Sequence, residues 1–514
     1  MKHLLIFSAI IMLAFKMQAS TSLVLIPVDN LNQTQQHFRN PSLSIHFYND
    51  NFLIATCKNC NVNNSIVLDK TPWEQGVSYY IIYTDSSIDK ADYLEKIKHS
   101  SNILFDGGHF LIASTNEQVH GQIPPAKNDG MVRIFNIEAR LPSRSFPKIP
   151  SIVEVTPSIN QLIEEVSASN ITATVQYLQD YGTRDAYSTQ SVEAQIWIAN
   201  YFTSLGLEVE VMDFTMPGGP ASDNVIAKLM GKTMPNEYVA VGAHYDSRSW
   251  SGDAPGADDN ASGTAGVMEI ARILSEHEFD RTIVFCAFSG EEYGLYGSKA
   301  FANRCAQESK DIIGYINMDM IGYLKPGNTM LTSLIYPQTA TELAQYYTAV
   351  CAAYLPLFVV QPATLIGGDS DHTSFNINGY MGIFPFENVN AYSPYIHTIN
   401  DLIGPSYNNE NQAAVFTKAA MATIASLATD DASNVSAISN RLNVYPNPAK
   451  DYFTVSLDTN SNVWLEVSNS LGQVIHVDSF FGTKRISTSS WQRGIYYIKV
   501  KTNSSTVSHR IVLQ

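Results

Sequence analysis

The run EYVAVGAHYDS occupies residues 237–247, and in it an apolar segment is followed by His244 and, two residues later, by Asp246. A helical pattern precedes it at residues 191–206, and a second apolar run, RTIVFCAF, follows at 281–288. Short apolar runs that alternate with helices predict an α/β domain with a central mixed, mostly parallel sheet flanked by helices. We expect His244 at the carboxyl edge of that sheet, where open α/β folds place their functional residues. There the Asp246 carboxylate can accept the second imidazole N–H of His244 and fix its tautomer.

Four further segments place acidic residues or a histidine in turns. They are GADDNASG at 256–263, SGEEYG at 289–294, INMDM at 316–320 and IHTIND at 396–401. Together with AHYDS they supply five candidate metal ligands, which are His244, Asp259, Glu292, Asp319 and His397. One such residue alone is usually only hydrogen-bonded, whereas the whole set favours a metal site.

The five candidates divide evenly between two metal ions. Each ion can have one histidine, one terminal carboxylate and a share of a bridging aspartate, which leaves a position for water. Two zinc ions about 3.5 to 4 Å apart would lower the pKa of that water toward 7 and polarise a substrate carbonyl. Because the neighbouring side chains of Glu291 and Glu292 diverge, one can bind metal while the other takes the proton from the water. Ligands of this kind also accept manganese or cobalt.

In their order and wording, these motifs resemble the secreted dizinc aminopeptidases, a family of exopeptidases related to glutamate carboxypeptidase and to glutaminyl cyclase. The resemblance covers about residues 157–429 and implies the zinc exopeptidase fold. It implies that the terminal ligands are His244 and Asp319 on one zinc ion and Glu292 and His397 on the other.

The resemblance also assigns the remaining acidic residues. It favours Asp259 over Asp258 as the bridging ligand, because the family's bridging residue precedes a segment x-x-Ser-Gly, here residues 260–263. Glu291 would be the general base, and Asp246 would orient the first histidine.

Two features near these motifs are candidates for contacts to the substrate or to the ligands. By resemblance, the run GGDSDHTSF at 367–375 lies beside the metals, which makes Asp371 and His372 candidates, although both could simply cap a helix. An aromatic group could form a pocket for an apolar first side chain or belong to the core, and it consists of Phe384, Phe386, Tyr392 and Tyr395.

The function implied is an exported aminopeptidase that hydrolyses the N-terminal peptide bond of peptides or proteins with two zinc ions. One alternative is a glutaminyl cyclase-like transferase, which shares the fold but works with one zinc ion. Another is a carboxypeptidase relative, which would need basic residues to hold a free carboxylate, and Arg248 is the nearest one. An inactive binding module is disfavoured because Glu291 is intact.

The rest of the chain predicts export and two β-rich segments. Residues 1–19 have the pattern of a secretory signal peptide, and no later apolar run is long enough to cross a bilayer. Residues 20–152 carry short strand patterns and would be either a propeptide or an attached accessory domain. After the catalytic segment at 157–429, residues 430–440 are a polar linker and residues 441–514 predict a small β-sandwich.

The C-terminal segment carries a second resemblance. The runs LNVYPNPAKDYFTVSL at 442–457 and VSNSLGQVI at 467–475 are similar to the type A sorting domain of the type IX secretion system of Gram-negative bacteria. This implies passage through the periplasm and outer membrane, with release or attachment at the cell surface, and the secretion machinery as a partner. A carbohydrate-binding sandwich that uses Trp464 and Trp491 is the rival interpretation.

Charge and cysteine content set further bounds. The net charge of −16 argues against nucleic acid as a partner, since little here would neutralise phosphates. Cys57 and Cys60 are predicted to form a disulfide, and Cys305 and Cys351 are a second possible pair. Cys286 lies in an apolar run and is predicted to be a core residue.

Overall fold

The computed structural model describes residues 21–58, 62–84, 90–116, 130–142, 149–150, 153, 155–249, 251–429, 442–457, 463–469, 473–501 and 506–513. The predicted signal peptide at 1–19 and linker at 430–440 lie outside these residues. The chain divides into two compact units, Met1–Val77 with Phe135–Ala139 and Ser78–Ile134 with Arg140–Gln514. No helix in the described part is both long enough and apolar enough to span a membrane.

The first unit contains a four-stranded sheet and one helix. Its elements are β1 (Thr21–Pro27), α1 (Leu31–Phe38), β2 (Leu43–Tyr48), β3 (Phe52–Lys58) and β4 (Ile66–Asp69). The strand order is β2-β3-β1-β4, so the two most apolar strands, β1 and β3, lie in the centre. Cys57 is disulfide-bonded, and its predicted partner Cys60 lies outside the described residues.

A second small sheet belongs to the other unit and has the same topology. Its elements are β5 (Val77–Tyr83), α2 (Lys90–Ile97), β6 (Ser101–Asp106), β7 (Phe110–Asn116) and β8 (Met131–Ile134). The order β6-β7-β5-β8 repeats the first sheet, with the first strand between the third and the fourth. The similar runs FLIAT at 52–56 and FLIAS at 110–114 mark this repeat in the sequence. The strand patterns predicted these strands, whereas helices α1 and α2 were not predicted.

The α/β part of the second unit follows. Its helices are α3 (Pro157–Glu165), α4 (Ala168–Gln179), α5 (Thr189–Ser204), α6 (Gly263–Leu274), α7 (Tyr296–Gln307), α8 (Thr341–Tyr354), α9 (His372–Asn376) and α10 (Glu410–Ala428). Its strands are β9 (Glu208–Met212), β10 (Asn224–Leu229), β11 (Met234–His244), β12 (Arg281–Phe288), β13 (Asp311–Asn317), β14 (Leu331–Ile335), β15 (Val359–Ala363) and β16 (Gly382–Phe386). A π-type turn, Ala257–Ser262, precedes α6, and a single 3₁₀ turn, Gln338–Ala340, precedes α8.

These strands form one sheet in the order β15-β14-β16-β13-β11-β12-β10-β9. The central strands β16, β13, β11 and β12 are parallel. Antiparallel pairs join β14 to β16 on one side and β10 to β12 and β9 on the other, and the edge strand β15 runs parallel to β14. The observed sheet confirms the predicted fold class. It also brings the carboxyl ends of three neighbouring parallel strands, β12, β11 and β13, to one edge, and His244 is the last residue of β11.

Both faces of the sheet are buried, which explains why its central strands are apolar throughout. Alternate residues of β12 enter different cores: Phe285 packs with helices α3–α6, α8 and α10, and Cys286 packs with α7 and α9. Cys286 is therefore a core residue, as predicted. The possible pairing of Cys305 with Cys351 is wrong, because both are free thiols and they belong to the cores on opposite faces of the sheet.

The C-terminal segment forms two further sheets around a core of its own. The strands are β17 (Leu442–Tyr445), β18 (Tyr452–Leu457), β19 (Val463–Asn469), β20 (Val474–Phe480), β21 (Thr483–Ser487), β22 (Gly494–Lys501) and β23 (Thr506–Leu513). They pair in the orders β17-β18-β21 and β20-β19-β22-β23. Residues of both sheets, among them Phe453 and Ile498, share one apolar cluster. This arrangement is a small β-sandwich.

Candidate metal centre

The predicted ligands meet at the carboxyl edge of the large sheet. His244 ends β11, Asp319 lies two residues beyond β13, and Glu292 lies in the turn after β12. Asp259 precedes helix α6, and His397 lies in the loop between β16 and α10. Since β12, β11 and β13 are parallel neighbours, the residues that follow them converge at one place.

Asp259 lies between the two histidines. Its Oδ1 atom is 3.4 Å from Nε2 of His244, and its Oδ2 atom is 3.2 Å from Nε2 of His397. Each histidine faces one further carboxylate: His244 Nε2 is 3.5 Å from Asp319 Oδ1, and His397 Nε2 is 3.0 Å from Glu292 Oε2. Ligand atoms around a tetrahedral zinc ion lie about 3.3 Å apart, because each is about 2.0 to 2.1 Å from the ion. The observed spacing fits two such coordination spheres that share Asp259.

The charge of the cluster also fits divalent cations. Asp319 Oδ1 and Glu292 Oε1 are buried, and within the described part of the chain neither atom accepts a hydrogen bond. Burial raises the pKa of Glu292 to about 7 and that of Glu291 well above its ordinary value. Buried carboxylates without partners are costly, and bound cations remove that cost. The residues present are therefore suited to hold metal.

His244 is oriented by a main-chain atom. Its Nδ1 is 3.0 Å from the carbonyl oxygen of Asp246, whereas the nearest carboxylate oxygen of Asp246 is 3.5 Å away. A carbonyl oxygen can only accept, so Nδ1 carries the hydrogen, and in the neutral ring the lone pair of Nε2 is free to bind a metal ion placed between it and the carboxylates of Asp259 and Asp319. The Asp246 carboxylate, which the sequence predicts to orient His244, thus lies beside Nδ1 together with its own carbonyl group, and it has a second task.

That task is to hold the tandem glutamates. The two carboxylate oxygens of Asp246 accept the backbone N–H groups of Glu291 and Glu292, each at 3.3 Å. The side chains of the two glutamates then diverge: Glu292 faces His397, while Glu291 Oε2 lies 3.9 Å from Nε2 of His244. The predicted divergence of the two side chains is observed, and the assignment of Glu292 as the ligand and Glu291 as the base stays a prediction.

Asp401 binds the tandem aspartates in the same way as Asp246 binds the tandem glutamates. Its two carboxylate oxygens accept the backbone N–H groups of Asp258 and Asp259 at 2.9 and 3.1 Å. Asp401 itself is almost fully buried and lies four residues beyond His397. It therefore fixes the loop of Asp259 to the loop of His397.

Side chains of the GADDNASG segment also bind the loop after β13. Asn260 Nδ2 donates to the carbonyl oxygen of Met318 at 2.9 Å, and Asp258 Oδ1 accepts from Gly322 N at 2.9 Å. Asp258 thus points away from both histidines, and Asp259 occupies the position between them. A Cβ atom at Gly263 would lie 2.0 Å from the Met318 oxygen, so only glycine permits this approach.

The run GGDSDHTSF at 367–375 contains Ser370, which contacts one of the candidate ligands, Asp319. Ser370 Oγ donates to Asp319 Oδ2 at 2.7 Å and accepts from Asn317 Nδ2 at 2.7 Å, which fixes the Asp319 carboxylate. Asp371 and His372 are buried but do not line the pocket, and burial raises the pKa of Asp371 to about 7.

A pocket of about 600 Å³, including space open to solvent at its mouth, adjoins the ligands. Its apolar part is lined by Met131, Met320, Leu365, Phe384, Phe386, Tyr392 and Ile396. Three members of the predicted aromatic group are among these residues. The fourth, Tyr395, is partly exposed and does not line the pocket.

Comparison with known proteins identifies the family. The family model described as "Peptidase family M28" matches residues 224–423, and the one described as "Secretion system C-terminal sorting domain" matches residues 443–514. A probable leucine aminopeptidase of Trichophyton verrucosum is 30% identical over 263 residues, which are 48% of this chain and 68% of that protein. The chain belongs to peptidase family M28. Its C-terminal sandwich is a sorting domain of the type that serves type IX secretion.

Other similar proteins agree with this M28 assignment. A probable zinc metalloprotease of Pyrenophora teres is 36% identical over 198 residues, which are 33% of this chain; the chain spans 41% of the length of that relative. Among solved structures, LapB from Legionella pneumophila has a TM-score of 0.56 at 22% identity, covering 69% of this chain and all of that chain. The LapA aminopeptidase of the same organism has a TM-score of 0.55 at 20% identity and likewise covers 69% of this chain and 99% of its own. At these identities the structures support the fold alone.

The sequence analysis missed several residues of the M28 site. Asp401 and Ser370 stand inside motifs that were recognised, but a carboxylate or hydroxyl that binds backbone groups has no pattern of its own. Arg184 lies outside these motifs, in the loop between α4 and α5. Its guanidinium is fully buried and donates to four carbonyl oxygens, those of Tyr245, Leu178, Pro255 and Gly256. It therefore fastens the His244 turn to the segment that precedes Asp259.

Substitution Asp401→Asn is expected to lower zinc affinity by about 10- to 100-fold, the usual effect of losing a partner that orients a ligand. An amide would turn its own N–H₂ toward one of the two backbone N–H groups, so at least one of the bonds to Asp258 and Asp259 is lost. Competition with a chromogenic chelator measures the affinity.

The matched control is Asp180→Asn, which changes an exposed carboxylate at the end of α4. We expect the control to bind zinc as the unaltered chain does. Equal affinity in a folded Asp401→Asn protein would show that the contact does not position the ligand loop.

Proposed function

We propose that this M28 chain is an exported aminopeptidase that removes the first residue of peptides or proteins and uses two zinc ions. The observation that carries the proposal is the arrangement around Asp259, with each carboxylate oxygen facing its own histidine and Glu291 beside the cluster. The names of similar proteins, which include zinc metalloproteases and leucine aminopeptidases, support it. In this proposal His244 and Asp319 hold one ion, Glu292 and His397 the other, and Asp259 bridges.

The charge of the pocket favours a substrate's amino end over its carboxyl end. Among the described residues, those that line the pocket include four metal-facing carboxylates and Asp369 but no lysine or arginine. Two bound zinc ions would balance the four metal-facing carboxylates, so the described lining then holds no side-chain cation for a free carboxylate, whereas Asp369 can attract a protonated α-amine. Arg248, the basic residue closest in sequence, binds the carbonyl oxygen of Glu292 and packs on Tyr293. This argues against the carboxypeptidase alternative.

When bound, zinc would supply a water of lowered pKa and a Lewis acid for the scissile carbonyl. The chain's own residues then have three tasks. The pocket beside the cluster receives the first side chain, and the surrounding apolar residues exclude bulk water from it. Asp246 and Asp401 keep the ligand loops in place through the backbone. Glu291 moves the proton.

Glu291 is suited to act as the general base. Its carboxylate lies at the pocket, close to His244, and burial raises its pKa well above the ordinary value. A base of raised pKa accepts a proton from water more readily and can release it to the leaving amine nitrogen. The tandem neighbour Glu292 is turned toward His397, so the two glutamates have separate roles.

Glutaminyl cyclisation is the second candidate. It needs one metal ion, whereas this chain brings together two histidines, each with its own carboxylate partner. We therefore rank hydrolysis first and retain cyclisation of N-terminal glutamine as the outcome to test if hydrolysis is absent.

Replacement of Glu291 by glutamine is expected to lower kcat on leucine p-nitroanilide by about 10²- to 10⁴-fold, because the amide cannot accept the proton. Zinc content, measured by mass spectrometry of the metal, should stay the same. Glu276→Gln, an exposed glutamate after α6, is the matched control and should keep full activity. The N-acetylated substrate should not be cleaved by any of the proteins.

Two results would contradict the proposal. Cleavage of the N-acetylated substrate at a comparable rate would remove the requirement for a free amine. Full activity of Glu291→Gln with normal zinc content would exclude Glu291 as the base.

For export, we infer that the sorting domain directs the chain across the outer membrane by the type IX machinery. The match at residues 443–514 supports this. The match also disfavours the carbohydrate-binding alternative. Of its two tryptophans Trp464 is exposed, whereas Trp491 packs against Phe453 and Tyr496 at the edge of the sandwich core.

Deletion of residues 443–514 is expected to leave active enzyme in the periplasm of a host with type IX secretion, while the full chain reaches the surface or the medium. Cell fractionation with activity assays of each fraction measures this. Export of the shortened chain at the normal level would contradict a sorting role.

A further inference from the structure

The small sheet β5–β8 forms part of the wall of the substrate pocket. Gly130, which precedes β8, and Met131, the first residue of β8, line the pocket together with its aromatic residues. Met131 is only 6% exposed, so it is held in place rather than free at the surface. The sheet precedes the M28 match in the sequence, which begins at residue 224.

Backbone hydrogen bonds join Gly130 and strand β8 to two loops that carry residues of the pocket. Gly130 N donates to the carbonyl oxygen of Gly367 at 3.3 Å, and Arg133 N donates to that of Gly294 at 3.2 Å. Gly294 is two residues beyond Glu292 and has a φ of +117°. A Cβ atom there would lie 2.8 Å from Arg133 N, so the close approach of the strand requires glycine.

Side chains of the sheet strengthen the same contact. Tyr83 Oη donates to Oδ2 of Asp369, which also lines the pocket, at 3.0 Å. Arg133 Nη1 donates to Tyr296 Oη at 2.5 Å, and Tyr80 Oη lies 2.7 Å from the same oxygen. Tyr80 and Tyr296 are buried. These contacts attach the sheet to the loop that holds Asp369 and to the start of helix α7.

The pocket has an acidic metal end and an apolar remainder. If the amine and the scissile carbonyl of a substrate occupy the metal end, the first side chain must extend into the apolar part. There Met131 is the one apolar residue that the small sheet contributes among the residues described, and Leu365, Phe384 and Ile396 are among the other apolar residues of the lining.

We propose that Met131 is a specificity-determining residue whose side chain limits the size of the first residue that the enzyme accepts. This inference rests on the proposed aminopeptidase function. It also means that the sheet β5–β8 stays in the working enzyme as an accessory part of the site.

The test compares Met131→Ala and Met131→Phe in the full chain, with alanine, leucine and phenylalanine p-nitroanilides. Met131→Ala should raise the ratio of kcat/KM for phenylalanine over leucine by about tenfold, because the pocket becomes wider. Met131→Phe should lower the ratio for leucine over alanine by a similar factor. Opposite shifts in two variants cannot arise from a general loss of folded protein.

Leu111→Ala is the matched control, because Leu111 is buried in the same sheet and does not line the pocket. It should lower Tm and leave both ratios unchanged. Unchanged ratios in active Met131 variants would overturn the inference, as would an active mature form whose N-terminus, determined by mass spectrometry, lies beyond residue 131.

Binding of the product amino acid separates this inference from the proposed reaction. The rise in Tm with L-leucine or L-phenylalanine measures the pocket without turnover. Absence of cleavage of all the substrates would count against aminopeptidase activity. If the preference for binding one of the two amino acids still shifted in the Met131 variants, the pocket assignment would be supported even so. Binding preferences that are the same in all variants would overturn the assignment.

Discussion

Two buried carboxylates, Asp246 and Asp401, hold the metal centre together through the backbone. Each accepts two successive N–H groups, and in both cases these belong to a tandem acidic pair, Glu291–Glu292 or Asp258–Asp259. Within each pair the two side chains diverge, and the side chains of Glu292 and Asp259 face His397. Because Asp246 and Asp401 bind main-chain groups, they position the loops of the candidate ligands without binding metal themselves.

Asp246 and Asp401 bind loops that the large sheet brings to one edge. The parallel strands place these loops at one edge of the sheet. Arg184 joins the turn after His244 to the segment before Asp259, and Gly263 allows the start of α6 to approach the loop after β13. The protein groups alone do not neutralise the cluster, because several carboxylates are buried beside only two histidines among its described residues. Divalent cations complete the site, and metal binding should therefore be linked to stability as well as to activity.

The sequence was sufficient for the parts that depend on local pattern. Apolar runs predicted the strands, and the order of motifs predicted which residues meet and the family to which they belong. It was insufficient where a contact joins distant segments through the backbone, as at Asp401, or where a residue from another segment enters the site, as at Met131. The cysteines illustrate the same limit: Cys305 and Cys351 look like a possible pair until the sheet separates them. The left-handed conformation of His397, with a φ of 53°, likewise follows from its surroundings and has no local signal.

The most direct test of the central claim is a crystal structure of zinc-loaded protein with anomalous data collected on both sides of the zinc absorption edge. We predict two zinc peaks about 3.5 to 4 Å apart, one on each side of Asp259, with His244 and Asp319 on one ion and Glu292 and His397 on the other. A single peak at full zinc loading, or a second ion bound by other residues, would contradict it.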